Sequence, residues 1–230
     1  MPGSSTYRIV VALDAVETVR TAYRLVDVLC EKVYGFKLGL PLLLRHGPKV
    51  AGRLRSLCPS AAWIADLKLA DIGAVMKATV ETIIDDVDAV IAHSFVGARG
   101  ALDELKEYLD ARGRKLILVA TMSHSGAEEV YDKALDLIDF VIERVQPWGL
   151  VAPATRPSLV ERLRRKHPNT VILSPGVGAQ GAKPGTALCH GADYEIVGRA
   201  ITSSENPLGS LEEIGATQME VLRQCRRERH

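Results

Sequence analysis

The chain has 230 residues, of which 47% are hydrophobic and 25% are charged, and its formal net charge is +1. These values are typical of a globular protein, and the balanced charge predicts no general attraction to nucleic acid or to a membrane surface. Residues 1–6 contain no basic segment followed by an apolar one, and no apolar run is long enough to span a bilayer. We therefore expect a cytoplasmic protein.

The four cysteines stand far apart in the sequence, at Cys30, Cys58, Cys189 and Cys225. No two of them form a C-x-x-C pair, so their spacing indicates neither a zinc site nor a redox-active pair. We expect buried free thiols. Disulfides are the open alternative, because some intracellular proteins of thermophiles form them.

Strand-like runs rich in β-branched residues alternate along the chain with helical patterns. The strand-like runs lie at residues 8–14, 34–39, 63–69, 88–93, 115–121, 149–152, 170–173 and 194–197. The clearest helical patterns lie at residues 16–33, 42–57 with an interruption at Gly47-Pro48, 72–86 and 99–111.

Eight strand-like runs alternating with helical ones predict a parallel sheet whose crossovers are helices. Eight units in 230 residues favour an α/β fold, specifically a closed (β/α)₈ TIM barrel. We expect this barrel to be a single domain that covers residues 1–230. A doubly wound open sheet is the rival, but it would normally place a G-x-G-x-x-G turn after the first strand. The sequence there is Leu13-Asp-Ala-Val-Glu17.

The most informative stretch is residues 63–72, because it places Asp66, Lys68 and Asp71 in an otherwise apolar run. Side chains alternate between the two faces of a strand, so Asp66 and Lys68 should share one face, with Asp71 just beyond the strand. Two carboxylates that flank an ammonium group would keep it charged and fix it as a proton donor. A structural ion pair on the rim of the strand is the alternative interpretation.

Polar residues end or follow most of the other predicted strands. In a barrel the C-terminal ends of the strands meet at one mouth, where active sites are built. We therefore expect one shared site formed by Asp14, Lys37, Asp66, Lys68, His93, Ser123 and Arg199. For His93 a structural role is the alternative, because a lone histidine at the end of a strand is more often a hydrogen-bonded structural residue.

The last two units carry a predicted anion site. The loop at residues 174–185 is rich in glycine and contains Pro175 and Gln180, and Gly198-Arg199 stands where a helix begins after the eighth strand. Loops after strands seven and eight of barrels often hold phosphate, and the N–H groups of a helix start together with an arginine suit a phosphomonoester. A flexible connector is the alternative for the glycine loop taken alone.

These motifs, taken together and in order, resemble those of the orotidine 5′-phosphate decarboxylases, particularly the short microbial form. The resemblance covers nearly the whole chain and rests on Leu13-Asp14, Phe36-Lys-Leu-Gly39, Asp66-Leu-Lys-Leu-Ala-Asp-Ile72, Thr121-Met-Ser-His124, Ser174-Pro-Gly-Val-Gly-Ala-Gln-Gly181 and Val197-Gly-Arg199. It implies a homodimeric (β/α)₈ barrel that uses no cofactor and no metal. Such an enzyme converts orotidine 5′-phosphate to uridine 5′-phosphate (UMP), the last step of de novo pyrimidine synthesis.

The resemblance also implies roles for the residues of the charged stretch. Lys68 would protonate C6 of the pyrimidine as carbon dioxide leaves, and Asp66 would sit beside the substrate carboxylate. Asp71 and Ile72 would reach across a dimer interface into the neighbouring subunit's site.

The rest of the substrate site follows from the same resemblance. Asp14 and Lys37 would bind ribose hydroxyls, and Lys37 would also join the charged chain with Asp66 and Lys68. Ser123 would contact the pyrimidine, and His93 would lie on the ribose side. The remaining substrate-binding positions would be Pro175, Gln180, Gly198 and Arg199, with Gln180 and Arg199 on the phosphate.

Two other functions stay open at this point. Mg²⁺-dependent hexulose-phosphate synthases and keto-gulonate-phosphate decarboxylases look similar in the D-x-K-x-x-D strand, but they carry a metal-binding Glu where this chain has Lys37. An ammonium group at that position should abolish cation binding. A barrel that only binds a phosphorylated ligand is the non-enzyme alternative, and loss of Lys68 or Asp66 would indicate it. Both residues are present.

Overall fold

The computed structural model describes residues 7–228 and places eight parallel strands in one closed barrel. Residues 1–6, for which we expected no targeting segment, lie outside the described residues. Each strand pairs with its neighbours in chain order, and the eighth closes the barrel against the first. The predicted (β/α)₈ barrel is confirmed. Its strands are β1 (Ile9–Ala12), β2 (Gly35–Gly39), β3 (Ala62–Leu69), β4 (Ala89–His93), β5 (Lys115–Val119), β6 (Gly149–Val151), β7 (Val171–Pro175) and β8 (Tyr194–Val197).

Helices follow the strands and form the outer layer of the barrel. They are α1 (Val19–Leu29), α2 (Leu40–His46), α3 (Val50–Leu57), α4 (Gly73–Glu81), α5 (Asp103–Asp110), α6 (Leu135–Val145), α7 (Pro157–Lys166), α8 (Thr186–Cys189), α9 (Arg199–Thr202) and α10 (Pro207–Glu228). Across residues 7–228, none of the helices has the length and apolar character needed to cross a membrane.

Two of the predicted helices are broken where a glycine takes a left-handed backbone angle. Gly47, with φ of 76°, separates α2 from α3, as the interruption in the pattern indicated. Gly100, with φ of 71°, lies in an irregular turn, so α5 begins at Asp103 and not at residue 99. Glycine adopts such angles without the steric cost that a Cβ would impose. Apolar periodicity does not reveal such a change, which explains the error in the second case.

Helix α1 shows how the outer layer is held to the sheet. Thr18 precedes the helix, and its hydroxyl accepts the N–H of Thr21 at 3.1 Å, which satisfies one of the unpaired donors of the first turn. The helix then buries one apolar stripe, formed by Ala22, Leu25, Val26 and Leu29. Each buried leucine contributes about 1.5–3 kcal/mol. Packing of this kind makes the strands a rigid support for the residues at their ends.

The cysteines are not free thiols, and that expectation is wrong. The structure pairs Cys30 with Cys58 and Cys189 with Cys225. The first disulfide joins the ends of α1 and α3, and the second joins the last residue of α8 to α10. The partners are 28 and 36 residues apart in sequence, so the spacing does not show that their helices are neighbours. Loops of this length correspond to roughly 3–4 kcal/mol of stabilisation for each disulfide.

A buried carboxylate on α6 ties that helix to α7. Asp139 has no solvent exposure, and it pairs with Arg162 at 2.6 Å, His167 at 2.9 Å and Lys166 at 3.1 Å. Burial alone would raise the pKa of Asp139, but the hydrogen bonds from His167, Arg162 and Lys166 outweigh burial and hold the pKa below its usual value. The folded state therefore favours the ionised form.

We expect Asp139→Asn to lower the free energy of unfolding by about 2 kcal/mol at neutral pH, because hydrogen bonds to a charged group are lost. A carboxylate with a lowered pKa stabilises the fold above its unfolded pKa and loses that effect as pH falls through its folded pKa. The difference between variant and wild type in urea denaturation should therefore shrink in acid. The control is Asp136→Asn, since Asp136 pairs with the same Arg162 while 94% exposed. An equal loss in the two variants would contradict this account.

Candidate active site

A cavity of about 340 Å³ opens at the C-terminal ends of the strands. The last residues of several strands line it, including Ala12, Val119, Val151 and Pro175. The cavity also brings together nine of the residues that the sequence assigned to the site. These are Asp14, Lys37, Asp66, Lys68, Ser123, Pro175, Gln180, Gly198 and Arg199.

Four of these residues form a chain of alternating charge that runs from the segment after β1 across β2 to β3. Lys37 Nζ donates to both oxygens of Asp14, at 2.7 and 2.6 Å, and to Asp66 Oδ2 at 2.8 Å. Lys68 Nζ donates to both oxygens of Asp66, at 2.8 and 2.7 Å. Asp66 therefore holds both lysines, and Lys68 stands at the end of the chain with 39% of its side chain exposed.

Lys68 reaches this position through an irregularity in β3. The pairing of β3 with β4 shifts register between Ala65 and Leu69, and Lys68 has a φ of 45°, which is rare for a residue with a side chain. The prediction that Asp66 and Lys68 would face the same site is correct, but simple strand alternation is not the whole reason. A bulge re-aims the lysine toward the carboxylate. Strained backbone of this kind is concentrated at functional sites.

The pKa values of the two buried members of the chain show that both are ionised. Burial alone would lower the pKa of Lys37, but the carboxylates of Asp66 and Asp14 outweigh burial and raise the pKa above its usual value. Burial alone would raise the pKa of Asp66, but Lys37 and Lys68 hold it below its usual value. Lys37 and Asp66 are therefore fixed, opposite charges at neutral pH.

The phosphate end of the predicted site is built from the loop after β7 and the start of α9. Gly178 has a φ of 75°, and a Cβ on it would lie 2.8 Å from the Cβ of Ala200. Only glycine lets the loop approach α9 so closely. This approach places Gln180 of the loop and Gly198-Arg199 of the helix start along the same cavity. A helix start and a guanidinium group suit an anion.

A sequence model of the Orotidine 5′-phosphate decarboxylase / HUMPS family matches residues 7–214. The chain belongs to this family. The resemblance inferred from the motifs is thereby confirmed, and the match covers all eight strands of the barrel.

Individual decarboxylases match over nearly their whole length. An orotidine 5′-phosphate decarboxylase of Aeropyrum pernix is 48% identical over 91% of this chain and 87% of the relative. That of Saccharolobus solfataricus is 39% identical over 95% of each chain. The crystal structure of the Sulfolobus solfataricus orotidine 5′-monophosphate decarboxylase superposes with a TM-score of 0.87 at 39% identity, covering 94% of this chain and 99% of that one. That of Methanocaldococcus jannaschii complexed with inhibitor BMP gives 0.86 at 29% identity, covering 92% and 98%.

Within this family, the charged chain bears directly on metal binding. The Lys37 ammonium lies between the carboxylates of Asp14 and Asp66, where a divalent cation would otherwise be attracted. In the part of the chain that the structure describes, no group of three or more His, Cys, Asp and Glu side chains is arranged to hold a metal ion. The Mg²⁺-dependent alternative is therefore not favoured.

Three of the predicted site residues do not line the cavity: His93, Asp71 and Ile72. His93 ends β4, and its Nδ1 lies 2.5 Å from the hydroxyl of Tyr131. Burial lowers the pKa of His93, and the nearby Lys68 lowers it further, which favours a neutral imidazole. Asp71 and Ile72 are exposed just before α4.

Sequence reasoning did not identify Arg156, whose hydrogen bonds hold the segment that contains Ser123. Arg156 donates to Asp132, to the Met122 carbonyl and, at 2.9 Å, to the Thr121 hydroxyl. Thr121 and Met122 line the cavity beside Ser123, so Arg156 joins the loop after β6 to the loop that carries them. The available signal was an arginine shortly after a predicted strand.

Proposed function

We propose that this chain catalyses the decarboxylation of orotidine 5′-phosphate to UMP, as a carboxy-lyase that needs no cofactor. The observation that carries the proposal is the chain Asp14–Lys37–Asp66–Lys68 at the mouth of a barrel whose family includes this activity. The relatives named above carry the name of this activity. The residues proposed to bind phosphate, Gln180, Gly198 and Arg199, line the same cavity as the charged chain, which supports a phosphorylated substrate.

The chemistry explains why a fixed ammonium is needed. Loss of carbon dioxide leaves an electron pair at C6 in the plane of the pyrimidine, where the ring π-system cannot delocalise it. We assign to Lys68 the stabilisation of this charge and the transfer of a proton to C6. Asp66 holds the ammonium in place before the reaction starts, so no reorganisation is needed when the charge develops.

Asp66 has a second proposed effect. Beside the substrate carboxylate, its negative charge would be repulsive by about 4 kcal/mol at ~4 Å in an effective dielectric near ~20. This repulsion disappears as carbon dioxide forms. The lowered pKa of Asp66 supports the proposal, because Lys37 and Lys68 outweigh the effect of burial and leave the group ionised, so it does not relieve the repulsion by taking up a proton.

The remaining proposed contacts place the nucleotide along the cavity. Asp14 and Lys37 would bind the ribose hydroxyls, Ser123 would contact the pyrimidine, and His93 would support the ribose side through Tyr131. Binding at the phosphate end can be used to order the loop and hold the ring against Lys68. The substrate-binding positions there are Pro175, Gln180, Gly198 and Arg199.

We also propose a two-fold homodimer in which Asp71 and Ile72 enter the partner's site. Ile72 is 61% exposed, and Asp71 is exposed and accepts only the neighbouring Ile72 N–H among the hydrogen bonds of residues 7–228. Further large apolar side chains are exposed on the segments that follow β3, β4 and β5. They are Val75, Phe95, Val130, Leu137 and Phe140. Two of these segments, α6 and the turn after β4, pack against each other. An apolar surface of this kind suits a self-complementary interface.

The direct test is product analysis. Purified protein incubated with orotidine 5′-phosphate should give UMP and carbon dioxide in equal amounts, measured by chromatography and by carbonate trapping. A protein that binds the nucleotide in calorimetry but forms no UMP would instead be the ligand-binding barrel considered above.

Arg199→Ala and Gln180→Ala should each raise KM for orotidine 5′-phosphate, with about a tenfold or larger effect for Arg199 because a charge-assisted contact to phosphate is lost. A smaller fall in kcat is expected if loop ordering depends on the phosphate. Steady-state kinetics measures both effects. The control is Arg112→Ala, since Arg112 packs on Tyr108 outside the cavity. Unchanged kinetics in the Arg199 variant would refute its assignment to the phosphate.

A further inference from the structure

Glu195 is a buried carboxylate behind the cavity, on the outer face of β8. Its side chain has no solvent exposure. The next residue, Ile196, lines the cavity, so strand alternation turns Glu195 toward the helices outside the barrel. Strand positions between a parallel sheet and its helices are normally apolar. A buried carboxylate costs free energy unless hydrogen bonds offset the loss of water, so its partners are informative.

The partners of Glu195 come from a loop and from the last helix. The N–H of Gly185 donates to both carboxylate oxygens at 2.9 Å, and Gln218 Nε2 donates to Oε2 at 2.8 Å. These donors are uncharged. Burial raises the pKa of Glu195, and the hydrogen bonds oppose this rise only in part. The carboxylate therefore binds three segments together without an ion pair among the described residues.

Gly185 is the end of the loop that carries Gln180. It has a φ of 87°, and a Cβ on it would lie 2.9 Å from the Cβ of Val221 on α10. Only glycine allows the loop to end against α10 in this way. Gly185 also precedes the short helix α8, whose last residue is fixed to α10 by the Cys189–Cys225 disulfide. The Glu195 hydrogen bonds fix the start of α8 at Gly185, and the disulfide fixes its end at Cys189. Any movement of the loop is therefore confined to the residues that precede Gly185.

On its other side, Glu195 belongs to the strand that leads to the anion site. It stands three and four residues before Gly198 and Arg199. One carboxylate thus connects the end of the loop bearing Gln180 with the strand that positions Arg199. These are the two groups assigned to the substrate phosphate.

We propose that Glu195 is a positioning residue for phosphate binding, which fixes the C-terminal hinge of the 176–185 loop at Gly185 relative to Arg199. The inference rests on the proposed function, because it takes Gln180 and Arg199 as phosphate ligands. It adds a residue outside the cavity whose removal weakens substrate binding without touching the substrate.

The decisive variant is Glu195→Met. Glu195→Met keeps an unbranched side chain but removes the acceptor, so the Gly185 N–H and the Gln218 amide lose their hydrogen-bond partner. We expect a folded protein with a lower melting temperature, a KM for orotidine 5′-phosphate raised roughly five- to tenfold, and a kcat within about threefold of wild type. Glu195→Gln retains an oxygen that accepts the Gly185 N–H, so its KM should stay near wild type. Glu220→Met, at an exposed position on α10, is the matched control.

Amide hydrogen exchange tests the hinge without relying on turnover. In the wild type, the Gly185 amide should exchange more slowly than that of Gln180, and Glu195→Met should remove the difference. Inorganic phosphate should slow exchange across residues 176–185 less in the variant than in the wild type. If the wild type forms no UMP, the proposed function fails while the exchange result still decides whether the hinge exists.

Three results would overturn the inference. A folded Glu195→Met protein with wild-type KM and slow Gly185 exchange would show that the hinge does not need the carboxylate. A Glu195→Met protein that fails to fold would make the residue purely structural. A KM raised equally in Glu195→Gln would contradict the role of the retained acceptor.

Discussion

Lys68→Ala should lower kcat/KM for orotidine 5′-phosphate by about 10⁴-fold or more, because one side chain is asked to supply both the countercharge and the proton. The fold should survive the change. Lys68 is partly exposed, and Asp66 keeps its bond to Lys37 when Lys68 is absent. Stopped assays with long incubations measure the residual rate, and thermal denaturation checks the fold.

Lys77→Ala is the matched control for this variant. Lys77 is similarly exposed and also pairs with a carboxylate, that of Glu104, but it lies on α4 outside the cavity. Its removal should leave kcat/KM within about twofold, as expected for a surface ion pair. If Lys68→Ala retained a tenth of the wild-type rate, neither the proton transfer nor the countercharge could be assigned to Lys68.

Mixing Lys68→Ala protein with Asp71→Ala protein should restore activity if Asp71 serves the partner's site. In a mixed dimer one site then carries both lesions and the other carries neither. Random exchange of equal amounts makes half of the dimers mixed, so recovery should approach about one quarter of wild-type activity. Activity is followed during exchange, and mass spectrometry of differently labelled subunits measures exchange independently.

The control for this experiment is a mixture of Lys68→Ala and Asp66→Ala proteins. Both residues line the cavity of their own chain, so every site of a mixed dimer has one lesion and no activity should return. Asp71 also accepts the Ile72 N–H at 2.7 Å, which is the local role that it would have without a partner. Complete exchange without recovery in the Asp71 mixture would limit Asp71 to that local role.

The barrel and most of its mouth could be predicted because both depend on patterns that the sequence displays directly. Alternating strand and helix periods specify the eight units. Parallel strands bring their C-terminal ends to one side, so the sequence alone places Asp14, Lys37 and Lys68 in one site. The resemblance carried the assignment further, from a shared site to a family.

Features that depend on which outer elements are neighbours could not be predicted. The disulfides are an example, because cysteines about thirty residues apart meet only when α1 packs beside α3 or α8 beside α10. Arg156 and Glu195 are similar, since their partners are 10 to 35 residues away in the sequence and lie on other segments. The bulge at Lys68 was hidden because strand alternation alone gave the right face.

The central claim is that fixed protein charges carry out the decarboxylation without a metal. It is tested most directly by following loss of the orotate absorbance band when wild-type protein is incubated with orotidine 5′-phosphate in EDTA, and again with added Mg²⁺. We predict the same rate in both, because the Lys37 ammonium occupies the place between Asp14 and Asp66 that a cation would need. Activity that EDTA abolishes and Mg²⁺ restores would contradict the account.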